Sequence, residues 1–365
     1  MKCICKNEKL SKVIQNAERV TGKNLTLPIL SNILVVAKED YLLVRSTNLN
    51  IGLEYKIEAK VEKEGSFLVK GDIFSSVLNM IPKKDSIEME MNEDILLIKS
   101  KQQSLEIKTV KSEDFPTIPY TTGDSFKIDI EKFVKSIESV MYNASVSDIK
   151  PEISSVFMYS NNGFLYSVST DSFRLGEKKI NVKNIPENIN LIIPIKNCLD
   201  IVRILSTEKG EFLIIFTKNQ ISIKGDDVYI TSRVVDGVYP DYRQIVPKDT
   251  KTSVIMLSEE VLNALKLGSV VSDKFNQVIL DIDPNEKFFT INTKNTDTGS
   301  SIIKIDSTLK GEKITSSYNL RFLTECLSNI KTDSVSFSFS DPNRPMVVKG
   351  IGDDSYMSLI MPMKR

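Results

Sequence analysis

The 365-residue chain contains no histidine. The commonest general acid–base group and metal ligand is therefore missing, and no Ser-His or Cys-His nucleophile can be assembled. Cysteine is scarce. Cys3-x-Cys5 has the wrong spacing for a zinc knuckle and no nearby pair to complete it. Cys198 and Cys326 lie in apolar stretches predicted as helices, which implies buried, reduced thiols and a cytosolic protein. Charge of one sign is not in excess, since Lys+Arg and Asp+Glu both number 48. Any basic surface must be local and balanced elsewhere. No apolar run approaches 18 residues and no signal-like segment opens the chain, so neither a membrane span nor export is expected.

Phosphate-binding signatures are missing too. No G-x-x-x-x-G-K-[ST] loop occurs, and Gly350-Ile351-Gly352 lacks the third glycine of a dinucleotide fingerprint. Asp281-x-Asp283 begins like a calcium loop, but Pro284 follows and Glu286 stands where glycine is needed. Asp226-Asp227 and Asp353-Asp354 fall at hairpin turns, where solvated acids are usual. No cofactor and no metal is expected.

A repeat is present. Residues Glu8 to Lys23 place Leu10, Val13, Ile14, Ala17 and Val20 on one helical face, with Lys12, Asn16, Arg19 and Lys23 opposite. Taken alone, such a pattern is more often a solvated surface face than a polyanion-binding one. A strand precedes this helix at Lys2–Lys6, and strands at Ile33–Val36, Tyr41–Ser46, Ile51–Val61 and Gly65–Lys70 follow it. A second helix then runs from Gly71 to Pro82, with Ile73, Phe74, Val77, Leu78 and Ile81 as its apolar face. Strands follow to Val110, and a loop containing Phe115-Pro116 closes the segment. The order recurs with helices at Ile130–Asn143 and Ile195–Leu205, a hairpin around Asn161-Asn162-Gly163, and the closing loop Tyr239-Pro240. It recurs again with helices after Ser258 and Asn319, each read as an N-cap. The fold class is α+β: three similar two-helix, antiparallel-sheet domains at 1–124, 125–248 and 249–365, rather than one large mixed domain.

Basic residues recur unevenly on these helices. Lys135 takes the place of Lys12, Tyr142 that of Arg19, and Arg203 lies on a closing helix. In the third copy Asn263 and Val270 occupy the matching places, leaving Lys266 and Lys274. No aromatic residues interleave with these cations, which disfavours single-strand stacking and favours phosphate contact to duplex.

Four motifs carry a family resemblance. Thr170-Asp171-Ser172-Phe173-Arg174-Leu175 resembles the T-D-x-x-R-L signature of bacterial sliding clamps, the beta subunit of DNA polymerase III. Tyr239-Pro240-Asp241-Tyr242-Arg243, Met361-Pro362-Met363-Lys364 and Leu27-Pro28-Ile29-Leu30-Ser31-Asn32 resemble three further segments of that family. The resemblance covers the whole chain. It implies the DNA clamp fold and a head-to-tail homodimeric ring that encircles duplex DNA as a processivity factor. Such a ring is non-catalytic, is opened by a separate clamp loader, and works in the cytoplasm at the nucleoid. DNA polymerases and repair proteins would dock through short apolar peptides.

The resemblance also implies a peptide pocket at Thr170, Phe173, Arg174 and Leu175. Pro240 and Ile245 come from the second motif, and Leu359, Met361, Pro362 and Met363 from the C-terminus. Ile153, Phe275, Asn319 and Phe322 match by local spacing. Ordinary interdomain core packing is the competing reading of these residues. DNA-facing positions are Lys12, Arg19, Lys23 or Asn24, Lys135 and Arg203. The dimer interface is expected where an edge strand bearing Leu105 and Ile107 meets the third domain near Val270; intradomain packing explains Leu105 and Ile107 equally well. Phe173 departs from a common histidine, Gln244 from a common arginine, and Lys150 from the usual arginine. A catalytic DNA-processing enzyme with an acidic metal site is the alternative function. It requires acids converging in one cleft, whereas those present sit at hairpin turns. A repeat scaffold with no DNA role is a third reading, against which the basic helix faces speak.

Overall fold

A computed structural model describes residues 1–22, 26–110 and 114–363. The first stretch of chain forms β1 (Lys2–Lys6), α1 (Asn7–Val20), β2 (Asn32–Lys38), β3 (Tyr41–Thr47), β4 (Ile51–Glu58), β5 (Lys60–Lys63), β6 (Gly65–Lys70), α2 (Gly71–Met80), β7 (Ser86–Asn92), β8 (Ile95–Lys99) and β9 (Ser104–Lys108). The middle forms β10 (Asp124–Asp129), α3 (Ile130–Met141), β11 (Ser155–Asn161), β12 (Phe164–Thr170), β13 (Arg174–Asn181), β14 (Asn190–Pro194), α4 (Ile195–Leu205), β15 (Glu211–Phe216), β16 (Gln220–Lys224) and β17 (Val228–Arg233). The last forms β18 (Thr252–Leu257), α5 (Ser258–Ser269), β19 (Gln277–Asp283), β20 (Phe288–Asn295), β21 (Gly299–Lys304), β22 (Ser307–Gly311), β23 (Ile314–Asn319), α6 (Leu320–Asn329), β24 (Ser334–Phe339), β25 (Met346–Gly350) and β26 (Tyr356–Ile360).

Contacts divide the chain into two compact units. One holds Met1–Val134, Lys183–Pro186 and Lys196–Asp236; the other holds Lys135–Val182, Glu187–Ile195 and Gly237–Arg365. In the first unit, a sheet of order β10-β15-β16-β17-β4-β3-β2-β6 joins strands of the first and middle repeats at the β17–β4 pair. A second sheet there runs β5-β1-β7-β8-β9. In the other unit, β14-β11-β12-β13-β26-β25-β24-β18-β22 joins middle and last repeats at the β13–β26 pair, beside a sheet of order β21-β20-β19-β23. All of these pairings are antiparallel. The third strand of each three-strand meander thus meets its counterpart across a repeat junction, except β9 and β21. Among the described residues, those two strands are sheet edges.

The core follows the patterning. Leu10, Val13, Ile14, Ala17 and Val20 of α1 are buried as their spacing predicts, and α1 packs on α2, β3 and β4. Burying each of the larger side chains contributes about 1.5–3 kcal/mol. Asn7 ties the two helices together. Its amide donates to the carbonyls of Leu78 (3.1 Å) and Ile81 (2.8 Å), which the end of α2 leaves without helical partners. Asn162 (φ 50°) and Gly163 (φ 78°) form the left-handed pair of a tight hairpin between β11 and β12, as the sequence predicts.

Several expectations are corrected. The alternating run Ile51 to Val61 is two strands in two sheets. It breaks at Ala59, whose N–H donates to Asp40 O at 2.9 Å, and periodicity carries no information about which sheet a strand joins. Helix α1 ends at Val20, and Lys23 and Asn24 lie outside the described residues. Asn16 is buried, donating to the Tyr55 hydroxyl (3.2 Å), and does not face outward with the cations. Ile73 is exposed although it continues the apolar pattern of α2. Ser258 is the first residue of α5 and caps nothing, because its hydroxyl donates to Thr332 O at 2.7 Å. Asn319 is the expected cap, accepting from the N–H groups of Arg321 and Phe322. Strands β13 and β21–β23 have too many polar residues to stand out in the sequence.

Candidate functional site

The loop between β12 and β13 is held by its own short side chains. The Thr170 hydroxyl donates to Arg174 O (2.6 Å) and accepts from Ser172 N–H (3.1 Å). One Asp171 oxygen accepts from the N–H groups of Phe173 (2.9 Å) and Arg174 (3.0 Å). The other accepts from Arg174 Nε at 3.0 Å. These bonds hold Ser172 at φ 77°, a left-handed conformation unusual for a residue other than glycine. The Thr, Asp and Arg of the motif are thus the parts of one turn. Phe173, at its tip, is 64% exposed.

The turn delivers Arg174 and Leu175 into a cluster. Arg174 is buried. It pairs with Asp171 and with Glu325 of α6, and its guanidinium lies 4.4 Å from the Phe322 ring centre and 5.4 Å from that of Tyr142. Glu325 also holds Arg321 at 2.7 Å. Burial pushes the Glu325 carboxyl up, but the hydrogen bonds from Arg174 and Arg321 outweigh this and hold it below its ordinary value. Leu175 pairs with Leu359 across β13 and β26, and both are buried. The chain past β26 stays attached: Met361 N–H donates to Phe173 O and Met363 N–H to Ser317 O, each at 2.8 Å. Asn319, besides capping α6, donates to Phe275 O at 3.4 Å, and Phe275 itself is 61% exposed. Ten of the expected pocket residues are therefore tied into this region by hydrogen bonds, strand pairings or ring contacts: Thr170, Phe173, Arg174, Leu175, Phe275, Asn319, Phe322, Leu359, Met361 and Met363. Pro362 lies between two of them in the chain.

Pro240 and Ile245 are exposed and positioned by neighbours. Tyr239 stacks on Phe157 at 4.7 Å between ring centres. The Tyr242 hydroxyl donates to the Glu177 carboxylate and shares a 2.7 Å hydrogen bond with the Tyr159 hydroxyl. Burial, then the charge of Glu177, raises the Tyr242 pKa, so its proton stays in place. Glu177 stands two residues beyond Leu175, on the same face of β13. Ile153 is half-buried, and Gly237 approaches its neighbour Glu152. Sequence reasoning missed Glu177, Tyr142 and Glu325. Only the i, i+4 spacing of Arg321 and Glu325 offered any signal.

The same turn occurs once earlier, between β3 and β4. The Thr47 hydroxyl donates to Ile51 O (2.8 Å) and accepts from Leu49 N–H (3.0 Å), Asn48 accepts from Asn50 and Ile51 N–H (3.0 Å each), and Leu49 has φ 73°. Ile51 replaces Arg174 and Gly52 replaces Leu175. A Cβ at Gly52 would meet Ile118, so the chain itself covers the floor of this copy.

The expected DNA-facing cations Lys12, Arg19, Lys135 and Arg203 are all exposed. Lys12 Nζ nevertheless pairs with Glu208 Oε1 at 3.0 Å. Arg203 and Arg19 both lie close enough to Asp200 to lower its pKa, against a larger rise caused by burial. Tyr142, aligned with Arg19 in the repeat, turns inward and shares a 2.6 Å hydrogen bond with the Tyr356 hydroxyl. On β9, Leu105 is exposed and Ile107 is buried. Val270 is 75% exposed just beyond α5, which packs on β21, where Ile302 is 76% exposed. Among the described residues, no group of three or more acidic or thiol side chains is arranged to hold a metal ion, and no helix is long and apolar enough to cross a membrane.

Models of the DNA polymerase III beta subunit match the chain at residues 1–119 (N-terminal domain), 127–241 (central domain) and 243–364 (C-terminal domain). The beta sliding clamp of Staphylococcus aureus is 24% identical over 350 residues, 93% of each chain. That of Bacillus subtilis is 24% identical over the full length of both. In structure, a sliding clamp from Pseudomonas aeruginosa bound to griselimycin has a TM-score of 0.94 at 24% identity, with both chains fully covered. The beta subunit from Thermotoga maritima has the same score at 23% identity, covering 100% of this chain and 99% of its own. A three-domain clamp fold carried on three consecutive domain matches that span nearly every residue has one reading: this chain belongs to the DNA polymerase III beta subunit family, the beta sliding clamps.

Proposed function

We propose that this chain is a DNA sliding clamp whose two copies close head to tail around duplex DNA and tether a replicative polymerase and other DNA-processing proteins. The observation that carries the ring is the pattern of strand pairing. β4 meets β17 and β13 meets β26, both antiparallel, while their counterparts β21 and β9 are left as edges among the described residues. Joining β9 of one copy to β21 of the next would make a third junction of the same kind, and a second identical junction would close the ring. Leu105, Val270 and Ile302 supply exposed apolar side chains at those edges, and an uncovered apolar edge strand is an aggregation hazard. The domains are best drawn at 1–124, 125–248 and 249–365.

In this reading Lys12, Arg19, Lys135 and Arg203 are offered to the phosphate backbone, without sequence preference. The cluster around Arg174, Leu175, Phe322 and Met361 takes short apolar peptides from polymerases, the clamp loader and repair proteins, with Phe173 and Phe275 available as aromatic walls. The role is non-catalytic: the carboxylates of Asp171 and Glu325 are engaged by Arg174. Cytoplasmic residence at the nucleoid follows from the same reading.

The test is topological. The protein is loaded by a clamp loader onto nicked circular DNA, which is then linearised. A clamp stays on the circle and runs off the linear form; equal retention on both refutes the proposal. Sedimentation should give twice the 41.1 kDa chain mass, and a monomer at micromolar concentration counts against the ring.

A further inference from the structure

We propose that Glu208 is an intramolecular counterion for Lys12 that competes with DNA phosphate and so loosens the clamp's hold on duplex. The inference rests on the reading of α1 as DNA-facing. Lys12 Nζ lies 3.0 Å from Glu208 Oε1, and 196 residues of chain separate the two. Nothing local requires them to meet.

The carboxylate is placed by the fold. Glu208 follows the end of α4, and its N–H donates to Leu205 O at 3.0 Å. Two residues on, Gly210 O accepts from Ile130 N–H at 3.0 Å, which fixes the same turn to the start of α3. Lys12 and Glu208 share a cleft of about 520 Å³ with Val13 and Tyr55, and burial together with the charge of Glu208 raises the Tyr55 pKa. The pair is partly exposed, at 48% for the lysine and 24% for the glutamate. A pair of that exposure is weak, worth at most about 1 kcal/mol. A phosphate can displace the carboxylate, but only by giving up part of what the lysine would otherwise contribute.

Asp200 of α4 lies near enough to Arg203 and Arg19 for their charges to favour its carboxylate, against the larger effect of burial. Lys12 is thus paired with an acid of its own unit, and a second acid stands near two further cations of this surface. A ring that must hold DNA without stalling gains from such matching. Each fully committed cation would add about 0.9 to the slope of log affinity against log salt.

The experiment measures anisotropy of a labelled duplex of about 30 base pairs with full-length protein, in salt from about 50 to about 200 mM. It compares wild type with Lys12→Ala, Glu208→Gln, Glu208→Asp and the Lys12→Ala/Glu208→Gln double variant. Glu208→Gln should tighten binding and steepen the slope by about 0.9, so that affinity falls about 3.5-fold further across that range. Glu208→Asp should stay near wild type, and the double variant should match Lys12→Ala. If Lys12→Ala weakens binding but Glu208→Gln does not tighten it, the counterion role is wrong while the DNA-facing reading stands. Equal tightening by Glu208→Gln with and without Lys12 also overturns the pairing, since it shows general repulsion of DNA by the acid. No effect of Lys12→Ala removes both.

Discussion

Replacing Arg174 by methionine tests the physical core of the peptide site. The guanidinium is buried between Asp171 and Glu325 and lies on the Phe322 ring. Removing one partner of a fully buried ion pair costs about 3–5 kcal/mol. Here Glu325 is 30% exposed and keeps Arg321 at 2.7 Å, and Asp171 keeps two backbone N–H donors. The ionic part should therefore fall to about 1–2 kcal/mol. The lost cation–π contact adds about 1 kcal/mol. The sum, about 2–3 kcal/mol, lowers the melting temperature of a unit of this size by about 5–10 °C. Scanning calorimetry of Arg174→Met, Glu325→Gln and the double variant is the assay. The two changes should be less than additive by about 1 kcal/mol, because each removes the same pair. A shift below about 1 °C for Arg174→Met, or strict additivity, refutes the account.

Acid should weaken the same pair. The depressed Glu325 carboxyl contributes stability that is fully present above its unfolded value, about pH 4.3, and is lost as pH falls through the lower folded value; melting curves of wild type and Glu325→Gln should converge over that window, and a constant gap would contradict it. Ile302→Asp places a charge on the exposed edge β21. Sedimentation should show it shifting the protein toward the 41.1 kDa monomer while leaving its circular dichroism unchanged, and an intact dimer would exclude this edge from the interface. Leu175→Ala should reduce affinity for an apolar polymerase peptide and, since Leu175 is fully buried beside Leu359, also cost about 2–5 kcal/mol of stability. Met361→Ala, at a half-buried position, should separate the two effects; unchanged peptide affinity in both variants would remove these positions from the site. All four cysteines are buried, and burial pushes the Cys3 and Cys5 thiols up to about 12, so a thiol reagent should label none of them before unfolding.

By itself the sequence determined the helices, the repeat and the family. Periodicity reported the apolar part of the buried face of α1, because a 3.6-residue spacing of apolar side chains permits little else, but not its buried polar members Asn7, Ser11 and Asn16. Asn-Gly marked a hairpin, and Thr170, Asp171 and Arg174 stood in a spacing that only their shared turn explains. Tertiary structure alone decided which strands join across repeats, because alternation fixes a strand's faces and not its neighbours. It split the run Ile51–Val61 between two sheets and buried Ile107 while leaving Leu105 exposed. It also brought Glu325 to Arg174 and Glu208 to Lys12 over 151 and 196 residues. A lone acid carries no mark of its partner. Such pairs become visible only when folding brings the two charges together, and they modify both surfaces that the motifs had pointed to.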